Sequence, residues 1–397
     1  MALIRVTTPL CRELTRILPS RPFAIEFWDG GKVTATEPGS PTFYVRRPSA
    51  IAHALRSPGP LGLGRAYVEG SLEVDDLDAA FIVVDDWAAP PIGAADKARL
   101  LATLALAAVP GGIPRRPRTE LILQGERHTP KRDAEVIRYH YDVGNDFFAL
   151  FLDESMTYSC AVFSRGATTL EDAQRTKLEL RPGQRVLDVG CGWGSFAIHA
   201  AREYGVSVTG ITLSPAQAEL ARKRVADAGL AERIEIRVAD YRELRDEPFD
   251  AIASIGMAEH VGESQVDTYA SALFRVLRPG GLVLNHAISL MRPEEDPLAD
   301  KFTMRYVFPD GEPLLLSRTQ LAFERARFYT EHVEGFMKDY ADTLRHWHDR
   351  LDERLEEAER LAGIERLRVW RLYLRAARHG FDVGYTAVYQ LKARKPG

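Results

Sequence analysis

Val186-Leu187-Asp188-Val189-Gly190-Cys191-Gly192-Trp193-Gly194-Ser195 is the stretch that decides the fold. An apolar run reads directly into three alternating glycines and then into a helical pattern, SFAIHAAREYG. A buried strand ending in a glycine turn at a helix N-terminus lets backbone approach a ligand closely and offers it free N–H donors. The spacing is G-x-G-x-G, whereas a nicotinamide dinucleotide site requires G-x-G-x-x-G and an acid at the end of the next strand. Here the next strand, VSVTGITLS, ends Gly210-Ile211-Thr212-Leu213-Ser214 without a carboxylate. The spacing and the missing acid count against a dinucleotide cofactor.

The alternation continues outward from this stretch. Strands are expected at RVLDVG, VSVTGITLS, RIEIRVADY, FDAIASIGM and LVLNHAISL. Helices are expected between them, at PAQAELARKRVADAGL, with Pro215 in its first turn, and at VDTYASALFRVLRPGG, stopped by Pro279-Gly280-Gly281. Strands and helices alternating at this length predict a parallel, doubly wound α/β sheet of Rossmann-like type. Upstream, IEFWDGGKVTATEP reads as a hairpin turning at Asp29-Gly30-Gly31. FYVRR reads as a strand, GLGRAYVEGSLEVDDLDAAFIVV as loop, strand and helix, and ADKARLLATLALAAV as a helix ended by Pro110-Gly111-Gly112. The Pro-, Gly- and Arg-rich PGGIPRRPRTE predicts a boundary between a smaller α+β domain at 1–112 and a larger domain at 113–397.

The chain has 397 residues, 45% hydrophobic and 27% charged, with a formal net charge of −4, so no overall basic field suggests nucleic-acid binding. Its three cysteines, Cys11, Cys160 and Cys191, form no C-x-x-C pair, so neither a zinc site nor a disulfide framework is expected and a cytoplasmic setting fits. No secretory signal is read at the N-terminal end, where Arg5, Arg12, Glu13 and Arg16 interrupt any apolar run. The longest apolar run, Leu100 to Pro110, is too short to span a bilayer. From Arg115 to Arg132 the chain is basic through Arg115, Arg116, Arg118, Arg127, Lys131 and Arg132, against Glu120 and Glu126. Such a run reads as a solvated linker or as an electrostatic foot on an anionic membrane surface.

Candidate polar groups cluster at strand ends, where ligands sit in open α/β sheets. Thr212, Ser214 and Gln217 follow the second strand, and Asp240 and Tyr241 follow the third. Glu259 after an apolar strand is hard to explain as packing, because a buried carboxylate is costly without partners. Taken singly, Cys160 reads equally as a small core filler, and His286 as a satisfied core histidine.

The glycine motif resembles the first motif of Rossmann-like S-adenosylmethionine methyltransferases. Together with Tyr139-His140-Tyr141-Asp142-Val143-Gly144-Asn145-Asp146, Met156-Thr157-Tyr158-Ser159-Cys160-Ala161, Glu259-His260-Val261-Gly262, His286-Ala287-Ile288 and Phe336-Met337-Lys338-Asp339-Tyr340, it resembles the cyclopropane-fatty-acyl-phospholipid synthase and mycolic acid cyclopropane synthase family. The first ~110 residues resemble more loosely, best at GRAYVEGSLEVDDLD, the N-terminal lipid-binding domain of the phospholipid members.

The resemblance implies S-adenosylmethionine bound by Tyr158, Ser159, Leu187, Asp188, Gly190, Gly192, Gly194, Ser195, Thr212, Ser214, Gln217, Asp240 and Tyr241. It implies a bicarbonate ion held by Cys160, Glu259, His286, Ile288 and Tyr340 as the catalytic base, and no metal. The implied substrate is an unsaturated acyl chain of membrane phospholipid, reached from the inner membrane face by a peripheral protein; a homodimer is compatible with the resemblance. The implied product is a cyclopropane ring. A methylene branch, which a partner reductase would convert to a methyl branch, is the alternative; an N- or O-methyltransferase of small molecules and an inactive lipid-binding scaffold are the further rivals. Two departures stand out: Ala377 occupies a position where some members carry cysteine, and the segment from Lys177 to Gly183 is shorter than in relatives.

Overall fold

A computed structural model describes residues 5–163, 180–292 and 301–397. The start of the short segment, residues 177–179, lies outside these. The chain forms two compact units: Met1–Ile122 with Asp300–Val307 and Gly363–His379, and Leu123–Ala299 with Phe308–Ala362 and Gly380–Gly397.

The first unit carries a four-stranded sheet ordered β2-β1-β3-β4, from β1 (Ala24–Phe27), β2 (Lys32–Val33), β3 (Thr42–Val45) and β4 (Leu72–Val74). The expected hairpin joins β1 and β2 in antiparallel register. Its turn is fixed by Asp29, whose carboxylate accepts from Thr7 N (2.9 Å), Thr7 Oγ1 (2.6 Å) and Gly31 N (3.0 Å). One element differs from the sequence reading: GLGRAYVE, expected as loop, belongs to the helix Pro60–Glu69. Gly62 and Gly64 weaken its intrinsic helical preference. Pro60 nonetheless opens the helix, Gly70 ends it in the left-handed conformation, and Ala66, Tyr67 and Val68 are buried. Packing outweighs propensity here.

The second unit is built on β5 (Arg185–Val189), β6 (Ser207–Thr212), β7 (Ile234–Val238), β8 (Phe249–Ile255), β9 (Leu277–Leu290), β10 (Leu314–Leu315), β11 (Tyr329–Gly335) and β12 (Thr386–Arg394). The order is β11-β12-β9-β8-β5-β6-β7, with β10 beside β9. The five strands read from the sequence are β5 to β9, and they are parallel. The sheet is not wholly parallel, as the sequence pattern implied: β12 runs antiparallel to β9, and β11 antiparallel to β12. Helices separate β9, β11 and β12 along the chain, so the alternation of strand and helix does not by itself reveal that these last strands run antiparallel.

Both faces of β5 are buried. Leu187 and Val189 join one apolar cluster, and Val186 joins the cluster on the opposite face. That two-sided burial explains why Val186 to Val189 are apolar except at Asp188. Between β8 and β9, Tyr269 is fully buried and its hydroxyl is hydrogen-bonded with Ser254 Oγ (2.6 Å) and Asn285 Oδ1 (2.9 Å). Tyr269→Phe removes that shared hydroxyl without changing the ring. We expect a loss of about 1–3 kcal/mol of stability, measured by urea unfolding, because two buried polar groups lose their partner.

Candidate active site

The turn after β5 has a left-handed backbone at Gly190 (φ 81°), Gly192 (φ 53°) and Gly194 (φ 79°). Side chains are disfavoured in this region, which explains three glycines at alternate positions. The turn delivers the chain to the N-terminus of the helix Ser195–Tyr204. Within β5, Asp188 is 2% exposed, and its Oδ2 has no hydrogen-bond partner among the described residues. Burial pushes its carboxyl up to about 7. A buried carboxyl oxygen without a protein partner, beside a glycine turn, fits a ligand bearing hydrogen-bond donors.

A cleft beside the turn is lined by Gly190, Gly192, Thr212, Gln217, Asp240 and Tyr241. Tyr158, Ser159, Asp188 and Ser195 line an opening that shares Gly190 and Gly192 with it. The individual roles differ. Leu187 is fully buried and belongs to the core under the sheet. Ser214 caps the helix Pro215–Asp227 by accepting from Gln217 N (3.2 Å). Thr212 Oγ1 donates to Gln217 Oε1 (2.8 Å) and accepts from Ser214 N (3.2 Å), so these three residues brace one another. Asp240 engages Arg242 with both oxygens, at 2.9 Å from Nε and 2.6 Å from Nη2. Tyr241 is buried with its ring edge-on to Tyr269 at 5.4 Å. Ser195 Oγ donates to the carbonyl of Ser155.

Some participants were not picked out as site residues from the sequence. Arg224 donates to the carbonyls of Ser155 (2.6 Å) and Trp193 (2.7 Å), tying the segment before Tyr158 to the glycine turn. Removal from water lowers its pKa. Trp193 is buried and donates to Asn145 Oδ1 at 2.7 Å. Neither role follows a local spacing rule, since the partners lie 31 to 69 residues away along the chain.

The second set of expected residues gathers around Phe336, itself 1% exposed. The His286 ring lies 6.0 Å from the Phe336 ring, centroid to centroid. Cys160 Sγ lies 3.9 Å from the Phe336 carbonyl, and Tyr340 N donates to the same carbonyl at 3.1 Å. Phe336 is held in turn by its N–H, which donates to Val388 O of β12 (2.8 Å). His286 and Ile288 lie on β9 opposite Gln390 and Val388. Glu259 stands on the short helix Ala258–Val261, and its Oε1 accepts from Ile288 N at 2.7 Å. That N–H, expected to face the bicarbonate ion, thus serves Glu259. The Oε2 atom of Glu259 is buried and without a hydrogen-bond partner among the described residues, and burial pushes the carboxyl up to about 7. Met257, His260 and Val261, its chain neighbours, line the cleft. Aromatic rings close the space: Trp347 lies 5.2 Å from Tyr158 and 5.9 Å from Tyr340, and His140 stacks on Phe308 at 4.1 Å. All five expected catalytic residues belong to the second compact unit.

A Rossmann-like sheet with a glycine turn, polar strand ends and a neutral-range carboxyl beside an aromatic pocket defines an S-adenosylmethionine-dependent methyltransferase. Residues 128–391 match the family model described as mycolic acid cyclopropane synthetase. The chain belongs to that family. It is 37% identical over 387 residues to a probable fatty acid methyltransferase of Pseudomonas putida, covering 94% of this chain and 92% of that one. It is 36% identical over 318 residues to the cyclopropane-fatty-acyl-phospholipid synthase of Escherichia coli strain K12, covering 77% and 75%. Among solved structures, mycolic acid cyclopropane synthase CmaA1 complexed with SAH and CTAB superposes with a TM-score of 0.62 at 33% identity, covering 66% of this chain and 98% of that one.

The raised carboxyls have a consequence for stability. Between the ordinary carboxylate range and about 7, the folded protein holds protons at Asp188 and Glu259 that the unfolded chain has released. Stability therefore falls as pH rises through that window. Asp188→Asn and Glu259→Gln should each flatten this decline in the ligand-free protein, as measured by urea unfolding at pH 5 and pH 7.5. An unchanged slope in both variants would mean that the carboxyls are ionised throughout.

Proposed function

We propose that this methyltransferase acts on the double bond of an unsaturated acyl chain in membrane phospholipid and yields a cyclopropane ring. The observation that carries the reading is Glu259. One of its oxygens is fixed by Ile288 N–H, and the other is buried without a hydrogen-bond partner among the described residues, next to residues lining the cofactor cleft. S-adenosylmethionine supplies, when bound, a methyl group on a sulfonium that an alkene can attack.

The chain's residues have three tasks. The glycine turn and the Thr212–Ser214–Gln217 brace shape the cofactor cleft. The rings of Tyr158, Tyr340 and Trp347 exclude water from the pocket and present aromatic faces to a cation developing on the acyl chain. Glu259, with a carboxyl near neutrality, holds or receives a proton close to where the new methyl group must lose one. Glu259 Oε2 and His286, with Cys160 and Tyr340 about Phe336, would hold a bicarbonate ion, which would supply a base there; the buried Oε2 of Glu259 fits that role.

A second reading has its own support: the Pseudomonas putida relative is named a fatty acid methyltransferase, without mention of a ring. In that reading the same methyl transfer gives a methylene branch for a partner reductase to reduce.

Lipid access is read from the first unit. The helix Ala94–Ala108 packs its Leu100, Leu104, Ala107 and Ala108 inward. Ala98, Leu101, Ala102, Ala105 and the following Val109 form an exposed apolar row at helical spacing, with Val109 71% and Ile113 84% exposed. Arg115, Arg116 and Arg118 follow on the surface, whereas Arg127 and Arg132 are committed to Asp310. An apolar row beside cations with no ion-pair partner among the described residues suits the inner face of an anionic membrane. No described helix is long and apolar enough to cross one.

Three outcomes are expected. Purified protein given S-adenosylmethionine with a labelled methyl group and mono-unsaturated phospholipid vesicles should add one CH₂ per modified chain, with no double bond left by mass spectrometry. A retained double bond selects the methylene reading, and no label in lipid overturns both. Glu259→Gln or His286→Ala should lower turnover on the order of a hundred-fold while moving cofactor affinity little; unchanged turnover would remove both from the mechanism. Leu101→Glu with Val109→Glu should weaken co-sedimentation with anionic vesicles, and binding of the unaltered protein should weaken with salt.

A further inference from the structure

His128 carries two neighbouring carboxylates on its two ring nitrogens, each belonging to a different half of the active site. It precedes the helix Pro130–Tyr141, is 6% exposed and has a left-handed backbone (φ 58°). Its Nδ1 lies 3.9 Å from Asp133 Oδ1, and its Nε2 lies 3.5 Å from Glu312 Oε2.

Toward the cofactor cleft, Arg242 donates to Asp133 Oδ2 (2.8 Å), to the carbonyl of His128 (3.0 Å) and to Asp240. Toward the acid, Glu312 N donates to the carbonyl of Glu259 (2.8 Å), and Glu312 Oε2 accepts from Glu263 N (3.2 Å). Gly262 ends the short helix carrying Glu259. A Cβ there would lie 2.5 Å from His128 Nε2 and 2.6 Å from Glu312 Oε2. That contact accounts for the glycine in Glu259-His260-Val261-Gly262 independently of its φ of 72°. A path of hydrogen bonds, joined at the His128 ring by two longer ion-pair contacts of 3.9 Å and 3.5 Å, therefore runs Asp240–Arg242–Asp133–His128–Glu312–Glu259, entirely within the second unit.

We propose that His128 is a positioning residue that couples the two halves of the site, holding Asp240 at the cofactor cleft through Asp133 and Arg242, and Glu259 through Glu312 and the Gly262 turn. The inference rests on reading Asp240 as a cofactor contact and Glu259 as the carboxyl that holds or receives a proton in the reaction.

The charges around the ring favour its protonated form. Glu312 raises the His128 pKa against burial, and Asp133 and Asp310 add to it. The opposing cations are Arg242, bonded to its carbonyl, and Arg127, whose charge acts on Glu312. His260, pushed down to about 4 first by burial and then by the His128 charge, stays neutral beside it. A histidine raised above its unfolded value stabilises fully below that value, and its contribution fades as pH rises through the folded one. Coupling should therefore weaken on the alkaline side of the ordinary histidine range.

The test is His128→Asn, because asparagine tolerates the left-handed backbone and cannot span the two carboxylates. Cofactor affinity by calorimetry and turnover on phospholipid vesicles are measured from pH 6 to 8.5. Both should fall on the order of ten- to a hundred-fold, and the alkaline decline of affinity should vanish. A residue that only supports the fold would lower the melting temperature and leave affinity, turnover and pH profile in place; that result overturns the proposal. Glu312→Gln, which keeps shape, serves if His128→Asn does not fold: it should lower turnover and leave cofactor affinity near that of the unaltered protein, and unchanged turnover overturns the Glu259 arm. Asp240→Asn separates the premises. If it leaves affinity unchanged, the reading of Asp240 fails and the cofactor arm with it; if it weakens affinity while His128→Asn does not, the coupling itself is refuted.

Discussion

At the carboxyl end of β5 the backbone must leave a strand buried on both faces and enter a helix within six residues, Val189 to Ser195. The path passes through left-handed conformations at Gly190, Gly192 and Gly194. Side chains at these points would be strained, and a Cβ at Gly194 would press on Ala221 at 3.4 Å. The turn sets where the cleft lies. It also brings Trp193 and Ser195 to the segment around Ser155, which Arg224 ties down from the next helix. Changes to the packing of β5, β6 and β8 therefore bear on the cofactor cleft directly.

The second constraint is the burial of acids. Asp188 and Glu259 each keep an oxygen out of water with no protein donor on it among the described residues, and both are pushed up to about 7. Such groups cost stability. Asp188 lines the opening and the chain neighbours of Glu259 line the cleft, and perturbed groups cluster at functional sites in this way. Asp133, Asp240 and Arg242, which line the cleft, are paired with one another. Asp240 is taken by Arg242, Asp133 shares that arginine, and Asp310 holds Arg127 and Arg132. The paired groups fix geometry, and the unpaired oxygens are left for chemistry.

The N-terminal unit shows the limits of local signals. Its hairpin turns where Asp29-Gly30-Gly31 says it should, because Asp29 caps the turn with its own carboxylate. The helix Pro60–Glu69 does not look helical in sequence, since Gly62 and Gly64 sit inside it. Its buried residues are satisfied only once the rest of the unit is folded. The basic run is likewise divided by folding: Arg115, Arg116 and Arg118 stay on the surface, and Arg127 and Arg132 turn inward to Asp310, which lies some 180 residues away.

By itself, the sequence determined the five parallel strands, the glycine turn and the presence of polar groups at strand ends, because each depends on the pattern of nearby residues. It also marked Glu259, since a carboxylate after an apolar strand is conspicuous without any fold. Only the tertiary structure decided that β12 and β11 close the sheet edge beside His286 and Ile288. Only the fold made Phe336 the centre on which Cys160, His286 and Tyr340 meet, and placed His128 between Asp133 and Glu312. Apart from Tyr340 to Phe336 and His128 to Asp133, which are near neighbours in sequence, those relations join residues 50 to 184 positions apart through hydrogen bonds, ring contacts and ion pairs. Such contacts have no period and no spacing, so they exist only once long-range packing has paid the entropy of closing the loops between them.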